Sequence, residues 1–300
     1  MIKPVTQLAG WLRTRPVLGR VALYCIPDVR KRIAIREIGP LVIRLRRNRS
    51  FWLRHPLTHE GFMFAAMRRL TRPGDLAMDV GANIGMYARF WVQVFGAGRV
   101  IALEPMSENR AMLVENIRLG GIADRVDVLP LALGDTDADE ALQIDRFSTG
   151  TATLDRITGG RPSETHEQYG VGAETETVHV ARLDTLVSQG RVRPPAVMKI
   201  DIEGAEAMCL RGAEGVLREH RPRLAIELHG LGVAREVIGL LDGLGYYVYG
   251  YTFEDERRTY RRITPGVVDE LERKYDLHHI AASASEADVR DRIEPYVPAE

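Results

Sequence analysis

The residues with the clearest chemical meaning lie in one short turn. In the segment from Asp79 to Gly85, an acidic residue ends an apolar run, and Gly81 and Asn83 follow it. Glu104 ends the next apolar run, after a helical pattern. A strand, a glycine-rich turn, a helix and a carboxylate at the tip of the next strand form a layout that binds nucleosides, with the carboxylate on the ribose hydroxyls. These residue types therefore predict a nucleoside-cofactor site.

The same turn discriminates between classes of cofactor. A dinucleotide needs Gly-x-Gly-x-x-Gly, because the backbone must approach the pyrophosphate closely, but here Asn83 and Met86 stand at the second and third glycine positions. No Gly-Lys-Ser/Thr follows the turn, so a P-loop is excluded. The pattern argues against a nicotinamide oxidoreductase and favours a nucleoside ligand without phosphate. Ala132, at the end of the third apolar run, is predicted to flank its adenine ring.

A second group of polar residues ends two later apolar runs. Asp201 and Glu203 follow Lys199 in one run, and Glu227 and His229 end the other. Residues two apart in a strand point to the same face, and open α/β sheets bind ligands at the carboxyl ends of their strands. If the two strands are neighbours, these side chains converge. An imidazole whose pKa lies near neutrality and a carboxylate are both able to take a proton from a hydroxyl group.

Together these motifs resemble those of the FkbM family of O-methyltransferases, which use S-adenosylmethionine (SAM). The resemblance covers about residues 71–250. It rests on Asp-Val-Gly-Ala-Asn-Ile-Gly at 79–85, Glu-Pro at 104–105, Leu-Asp at 183–184, Lys-Ile-Asp-Ile-Glu-Gly-Ala-Glu at 199–206 and Glu-Leu-His at 227–229. It implies SAM as the cofactor and methyl transfer to a hydroxyl of a sugar, glycolipid, polysaccharide or polyketide-type natural product. The first 50 residues lie outside the resemblance, so the acceptor stays open.

The resemblance and the residue chemistry together assign roles. The predicted cofactor-binding residues are Asp79, Gly81, Asn83, Gly85, Glu104 and Ala132. His229 is the first candidate for the general base and Asp201 the second, with Glu227 orienting the imidazole or the acceptor. A reaction without a metal is favoured, because no metal motif is recognisable. If a divalent cation such as Mg²⁺ is used, Asp201, Glu203 and Glu227 are its predicted ligands.

Other polar residues near these motifs receive mainly structural assignments. Glu206 is expected in the first turn of a helix, where negative charge is favoured. The pair His278 and His279 is also expected to be structural. His55 and His59 are either surface residues or part of the acceptor cleft.

The elements that must position these residues follow from the hydrophobic pattern. Strands are predicted at 76–80, 99–104, 126–132, 196–201, 223–228 and 244–250, and helices at 84–95, 107–119, 205–219 and 233–242. With a last strand at 277–282, this alternation predicts an α/β, Rossmann-like class I methyltransferase fold, with a mostly parallel seven-stranded sheet and helices on both faces. Residues 134–177 are polar and interrupt the alternation, which predicts a long excursion or a disordered loop.

Charge divides the chain into unequal parts. The 300 residues carry no net charge, but residues 1–75 hold 16 of the 41 Lys and Arg and only 4 of the 41 Asp and Glu. We therefore predict a small basic α/β extension at 1–70, a methyltransferase domain at 71–290 and a tail at 291–300. The extension is expected to meet the acceptor, an anionic membrane surface or its own acidic domain. Nucleic acid is not expected as a partner, since no binding motif accompanies the charge.

The cysteines and the apolar segments indicate in which cellular compartment the protein is expected. Cys25 and Cys209 form no Cys-x-x-Cys motif, so disulfides are not expected and a reducing cytoplasm is the simplest setting. No apolar stretch has the roughly 20 residues of a membrane span, although the basic segment allows a peripheral contact with the inner face of the membrane. The oligomeric state stays open. The alternative to an enzyme is a non-catalytic SAM-fold binding or scaffold module in a glycan assembly complex, against which Asp201, Glu227 and His229 argue.

Overall fold

A computed structural model describes residues 26–49, 51, 60–144, 152–158, 174–254, 257–271 and 277–296. Its strands are β1 (Arg30–Ile35), β2 (Gly39–Arg44), β3 (Leu76–Val80), β4 (Arg99–Leu103), β5 (Val126–Leu129), β6 (Leu131–Leu133), β7 (Ala138–Ile144), β8 (Thr153–Leu154), β9 (Glu174–Ala181), β10 (Val197–Ile200), β11 (Arg223–Glu227), β12 (Tyr247–Glu254), β13 (Arg257–Arg262) and β14 (Leu277–Ser283). Its helices are α1 (Gly61–Leu70), α2 (Met86–Gln93), α3 (Ser107–Leu119), α4 (Asp155–Thr158), α5 (Leu183–Ser188), α6 (Glu206–Arg211), α7 (Glu214–Glu219), α8 (Leu231–Gly243) and α9 (Pro265–Asp269), and a 3₁₀ turn spans Glu286–Asp288. None of the described helices is long and apolar enough to cross a membrane.

Eight strands form the main sheet, in the order β13-β12-β14-β11-β10-β3-β4-β5. The five strands from β11 to β5 are parallel, and β14 lies antiparallel between β11 and β12. The predicted Rossmann-like methyltransferase fold is thus confirmed. The predicted count of seven strands is one short, because β13 folds back on β12 as an antiparallel hairpin.

Two apolar layers cover the two faces of this sheet. Alternate residues of each strand point to opposite faces, so Ala77 belongs to one layer and Met78 to the other. Met63 of α1 and Phe90 of α2 are fully buried in the first layer. Cys209 of α6 is fully buried in the second, which also contains residues of α8. The sheet therefore holds the ends of its strands in a fixed order, and the polar residues that follow them share one edge.

The predicted third strand, 126–132, is divided at Pro130. Proline has no N–H to donate to a strand ladder; β5 ends in the main sheet, and β6 begins a second sheet of order β6-β9-β7-β8. The segment 134–177 is therefore not a structureless loop, since β7, β8, α4 and the start of β9 lie within it. Residues 145–151 and 159–173 are outside the described residues.

The predicted helix 205–219 is instead two helices, α6 and α7, that meet near Gly212. A Cβ at Gly212 would lie 1.7 Å from the carbonyl oxygen of Gly134, so two backbones touch here. The Gly212 carbonyl oxygen also accepts a hydrogen bond from Asp184 N at 3.0 Å. A tertiary contact, which the helical pattern does not contain, accounts for the break.

The basic hairpin of β1 and β2 packs on α3. The side chain of Asn116 accepts a hydrogen bond from Val42 N at 2.7 Å and donates to the carbonyl oxygens of Val42 at 3.0 Å and Ile84 at 2.8 Å. Arg44 pairs with Glu108 of the same helix. The described part of the basic extension therefore contacts its own domain.

Other predicted features near the termini fall partly outside the described residues. His55 and His59 both lie outside them. The described part of the tail contacts α1, because Tyr296 N donates a hydrogen bond to the Gly61 carbonyl oxygen at 2.7 Å.

Candidate active site

Residues with a left-handed backbone build the turn after β3. Gly81, Asn83 and Gly85 have φ angles of 77°, 49° and 86°. A Cβ at Gly81 would lie 2.1 Å from the Asp201 carbonyl oxygen, and one at Gly85 would lie 2.5 Å from Cδ1 of Leu113. The glycines therefore let the turn fit against β10 and α3. Asn83 tolerates this conformation better than most residues, and its buried Oδ1 accepts no hydrogen bond from the described residues.

Glu104, directly after β4, faces this turn. Its carboxylate accepts hydrogen bonds from Asn83 N at 2.7 Å and from Met106 N at 3.0 Å. Burial raises the pKa of Glu104 to about 7, although both N–H donors oppose the shift. Each carboxylate oxygen has a second lone pair, so both oxygens keep the capacity to accept from a ribose diol. The ribose-binding role of Glu104 stays a prediction.

A buried group of charges lies beneath the turn. Lys199 Nζ is 3.3 Å from Asp79 Oδ1 and 3.3 Å from Asp201 Oδ2, and it donates to the Gly81 carbonyl oxygen at 2.8 Å. Burial raises the pKa of Asp79 to about 6, against the opposing effect of Lys199. Burial lowers the pKa of Lys199, but Asp201 and Asp79 outweigh it and raise the pKa above its usual range. These contacts of Lys199 tie the end of β3 to the end of β10.

One cavity joins the predicted cofactor and acceptor residues. Its lining includes Gly81, Asn83, Glu104 and Ala132 from the cofactor set, and Asp201, Glu203 and Glu227 from the acceptor set. Asp79, Gly85 and His229 do not belong to the lining. Asp79 is fully buried and Gly85 has a left-handed backbone, so both shape the turn, and their role in cofactor binding stays a prediction.

His229 stands beside the carboxylates that follow β10 and β11. Its Nδ1 is 2.7 Å from Glu206 Oε1. Its Nε2 is 3.6 Å from Glu203 Oε2, 3.7 Å from Glu227 Oε1 and 3.9 Å from Asp201 Oδ1. The predicted convergence of two neighbouring strand ends is confirmed. Glu206 lies in the first turn of α6 as expected, but it also holds the imidazole, a contact that the sequence analysis gave to Glu227.

The surrounding carboxylates set the charge of this imidazole. Burial lowers the pKa of His229, but the hydrogen bond with Glu206 and the charges of Glu203, Glu206 and Asp201 outweigh it and raise the pKa to about 10. Burial raises the pKa of Glu203 to about 8. An imidazole with such a pKa holds its second proton at neutral pH, so a general-base role for His229, which stays a prediction, requires loss of that proton first.

Sequence analysis did not assign the side chains that flank Glu227 to the site. His279 Nε2 is 3.5 Å from Glu227 Oε2, and His278 Nδ1 is 3.5 Å from Glu227 Oε1. Glu60 lies 3.8 Å from His279 Nε2 and accepts a hydrogen bond from Tyr87 at 3.2 Å. The antiparallel register of β11 and β14 places Glu227 opposite His279. No local pattern in the sequence predicts that Glu227 pairs with His279.

Comparison with known proteins agrees with this geometry. A family profile described as the methyltransferase FkbM domain matches residues 79–251, which is more than half of the chain. The chain belongs to the FkbM methyltransferase family. Membership and fold imply SAM as the methyl donor, and the residues present fit this ligand. Glu104 keeps acceptor capacity for the ribose, and Oδ1 of Asn83, which accepts no hydrogen bond within the described part of the chain, would be an acceptor for the ammonium of the amino-acid tail.

The chain is similar to two relatives and to one solved structure. The chain is 30% identical over 196 residues to 31-O-demethyl-FK506 methyltransferase FkbM of Streptomyces tacrolimicus, covering 59% of this chain and 74% of that protein. It is 23% identical over 250 residues to the hexuronic acid methyltransferase AglP of Haloferax volcanii, covering 80% of this chain and 88% of that protein. The crystal structure of methyltransferase FkbM from Methylobacillus flagellatus KT has 20% identity and a TM-score of 0.42, over 71% of this chain and 45% of that chain. The match thus spans less than half the length of that crystallised chain.

Proposed function

We propose that this FkbM-family protein is a SAM-dependent O-methyltransferase that acts on a hydroxyl of a sugar, glycolipid, polysaccharide or polyketide-type natural product. The observation that carries the proposal is the shared cavity. Asn83 and Glu104 line it on the cofactor side, and Asp201, Glu203 and Glu227 line it on the acceptor side. A donor held by the first group and a hydroxyl held by the second would react within one space, where alignment removes much of the barrier.

The reaction requires alignment and a destination for one proton. SAM, which Asn83 and Glu104 would hold, would supply a methyl group that the acceptor oxygen displaces from sulfur, and a neutral thioether would leave. The hydroxyl proton passes to the cluster of Asp201, Glu227 and His229 or through it to water. These polar side chains lie together at the end of β10 and β11, so they are able to hold the hydroxyl as well as receive its proton.

The compounds after which the two relatives are named support a hydroxyl-bearing acceptor. One is named for 31-O-demethyl-FK506 and the other for hexuronic acid. We therefore propose an oxygen acceptor for this chain and leave its identity to experiment.

The proposal is tested with purified protein, methyl-labelled SAM and extracts of the source organism, together with neutral sugars, hexuronic acids and macrolides that have free hydroxyls. We expect a labelled O-methyl product and calorimetric binding of S-adenosylhomocysteine. Glu227→Gln should retain that binding and lose transfer, whereas Glu236→Gln, an exposed carboxylate of α8, should retain both. No binding of SAM or S-adenosylhomocysteine would remove the methyltransferase proposal. Binding without transfer to any acceptor would favour the scaffold alternative.

A further inference from the structure

The carboxylates that follow β10 and β11 are each held on one side by a basic side chain. Lys199 Nζ lies 3.3 Å from Oδ2 of Asp201, and His279 Nε2 lies 3.5 Å from Oε2 of Glu227. The other oxygens, Oδ1 of Asp201 and Oε1 of Glu227, lie 3.9 Å and 3.7 Å from Nε2 of His229. Three atoms that can bind a metal therefore face one another. Lys199 and His279 contact the other oxygens of the two carboxylates, and His278 Nδ1 lies 3.5 Å from Oε1 of Glu227 itself.

The separations of these three atoms suit ligands that share one ion. An N–H···O hydrogen bond has a length of about 2.7–3.2 Å, so Nε2 of His229 makes none with these two oxygens. Two ligands bound to one divalent cation at about 2.1–2.4 Å lie roughly 3.0–3.9 Å apart. The ligand atoms of Asp201, Glu227 and His229 all lie within 4.8 Å of one another. Small side-chain adjustments would bring all three onto one ion.

Glu206 provides an independent indication. It has no exposed surface, and its Oε1 lies 2.7 Å from Nδ1 of His229. Its Oε2 is buried and has no hydrogen-bond partner among the described residues. Histidines that bind metals almost always donate their other N–H to an outer carboxylate, carbonyl or water, which fixes the ring and directs the free nitrogen at the ion. Here Glu206 holds Nδ1 of His229, and the ring then directs Nε2 at the oxygens of Asp201 and Glu227.

We propose that Asp201, Glu227 and His229 bind one divalent cation on the acceptor side of the cavity. Two carboxylates and one imidazole combine hard and borderline ligands, which suits Mn²⁺. Three protein ligands leave coordination positions open. If the proposed function holds, one of these positions takes the acceptor hydroxyl. The cation then lowers the pKa of that hydroxyl. The set differs from the predicted ligands in that His229 takes the place of Glu203.

The site is tested by titrating chelator-dialysed, full-length protein with Mn²⁺ and measuring free Mn²⁺ by electron paramagnetic resonance. We expect one Mn²⁺ per chain, with spin-echo modulation from an imidazole nitrogen. His229→Gln should remove that modulation, and Asp201→Asn and Glu227→Gln should each weaken binding at least about tenfold. Glu206→Gln should keep the modulation but weaken binding about 10- to 100-fold. Glu236→Gln, with its exposed carboxylate, is the matched control and should bind as the wild type does.

The outcomes separate this proposal from its competitors. Absence of stoichiometric Mn²⁺ binding or of nitrogen modulation in the wild-type protein overturns it. A rival group, Glu227, His278 and His279, has ligand atoms equally close together; modulation that persists in His229→Gln and disappears in His279→Gln would place the ion there and also overturn it. Circular dichroism and S-adenosylhomocysteine binding establish that each variant is folded. Cofactor binding without Mn²⁺ binding refutes the cation site alone, and Mn²⁺ binding without cofactor binding refutes the proposed function alone.

Discussion

Protonation of Glu104 is expected to weaken cofactor binding just below neutral pH. Burial raises the pKa of Glu104 to about 7, so its carboxylate is about nine-tenths ionised at pH 8 and about one-tenth ionised at pH 6. Only the ionised form accepts from both ribose hydroxyls while it keeps the hydrogen bonds from Asn83 and Met106. Because the pKa is raised, binding is lost as the pH falls through 7. If only the ionised form binds, affinity for S-adenosylhomocysteine falls about tenfold from pH 8 to pH 6.

The substitution Glu104→Gln isolates this contribution. The amide has no charge, and its NH₂ group would face one of the two N–H donors that now meet the carboxylate. A hydrogen bond to a charged group exceeds a neutral one by about 1 kcal/mol, so two such bonds predict an affinity about 10- to 100-fold lower at pH 8. Asp127→Asn is the matched control, because Asp127 is a half-exposed carboxylate near the start of the neighbouring strand β5.

Calorimetric titration with S-adenosylhomocysteine at pH 6, 7 and 8 measures both effects. Burial also raises the pKa of Asp79 to about 6 and that of Glu203 to about 8, so other groups contribute to the total pH dependence. The decisive quantity is the change of S-adenosylhomocysteine affinity with pH. Glu104→Gln should lose part of that change, and Asp127→Asn should keep all of it. Equal slopes in wild type and Glu104→Gln, or equal affinities at pH 8, would refute the assignment of Glu104 to the ribose.

Three further substitutions test how the site is supported. Lys199→Met leaves Asp79 buried without its cation and should lower the free energy of unfolding by about 3–5 kcal/mol in a denaturant titration; a loss below about 1 kcal/mol would contradict a stabilising buried pair. Gly212→Ala forces a Cβ into a neighbouring backbone and should lower the free energy of unfolding by more than about 3 kcal/mol. Gly239→Ala in α8 is the control, because nothing lies near the added Cβ. It should leave the free energy of unfolding unchanged or raise it by up to about 1 kcal/mol. Similar melting temperatures for the two would refute this packing. Asn116→Ala removes three hydrogen bonds between α3, the hairpin and the cofactor turn and should cost about 2–4 kcal/mol, with faster amide hydrogen exchange in β2; unchanged exchange would mean that other contacts hold the hairpin.

Elements defined by a local pattern could be predicted from the sequence. The helix predicted at 107–119 and the strand predicted at 76–80 have the observed bounds, because each has an apolar pattern between clear boundary residues. Two predicted elements have the wrong bounds, and each is divided in the structure, one at Pro130 and the other near Gly212. The strand at 126–132 divides between two sheets, and the helix at 205–219 divides where two backbones touch. Such divisions depend on partners that are distant in sequence.

The sequence by itself determined the donor side of this protein. Gly81, Asn83 and Glu104 belong to one strand-turn-helix-strand unit, so their spacing was sufficient to predict a nucleoside site. Only the tertiary structure decided the acceptor side, where Glu206 contacts His229 and residues of β14 contact Glu227. The reason is that β14 enters the sheet antiparallel between β11 and β12. Strand order follows from burying both faces of the whole sheet, and no local preference of the chain encodes it.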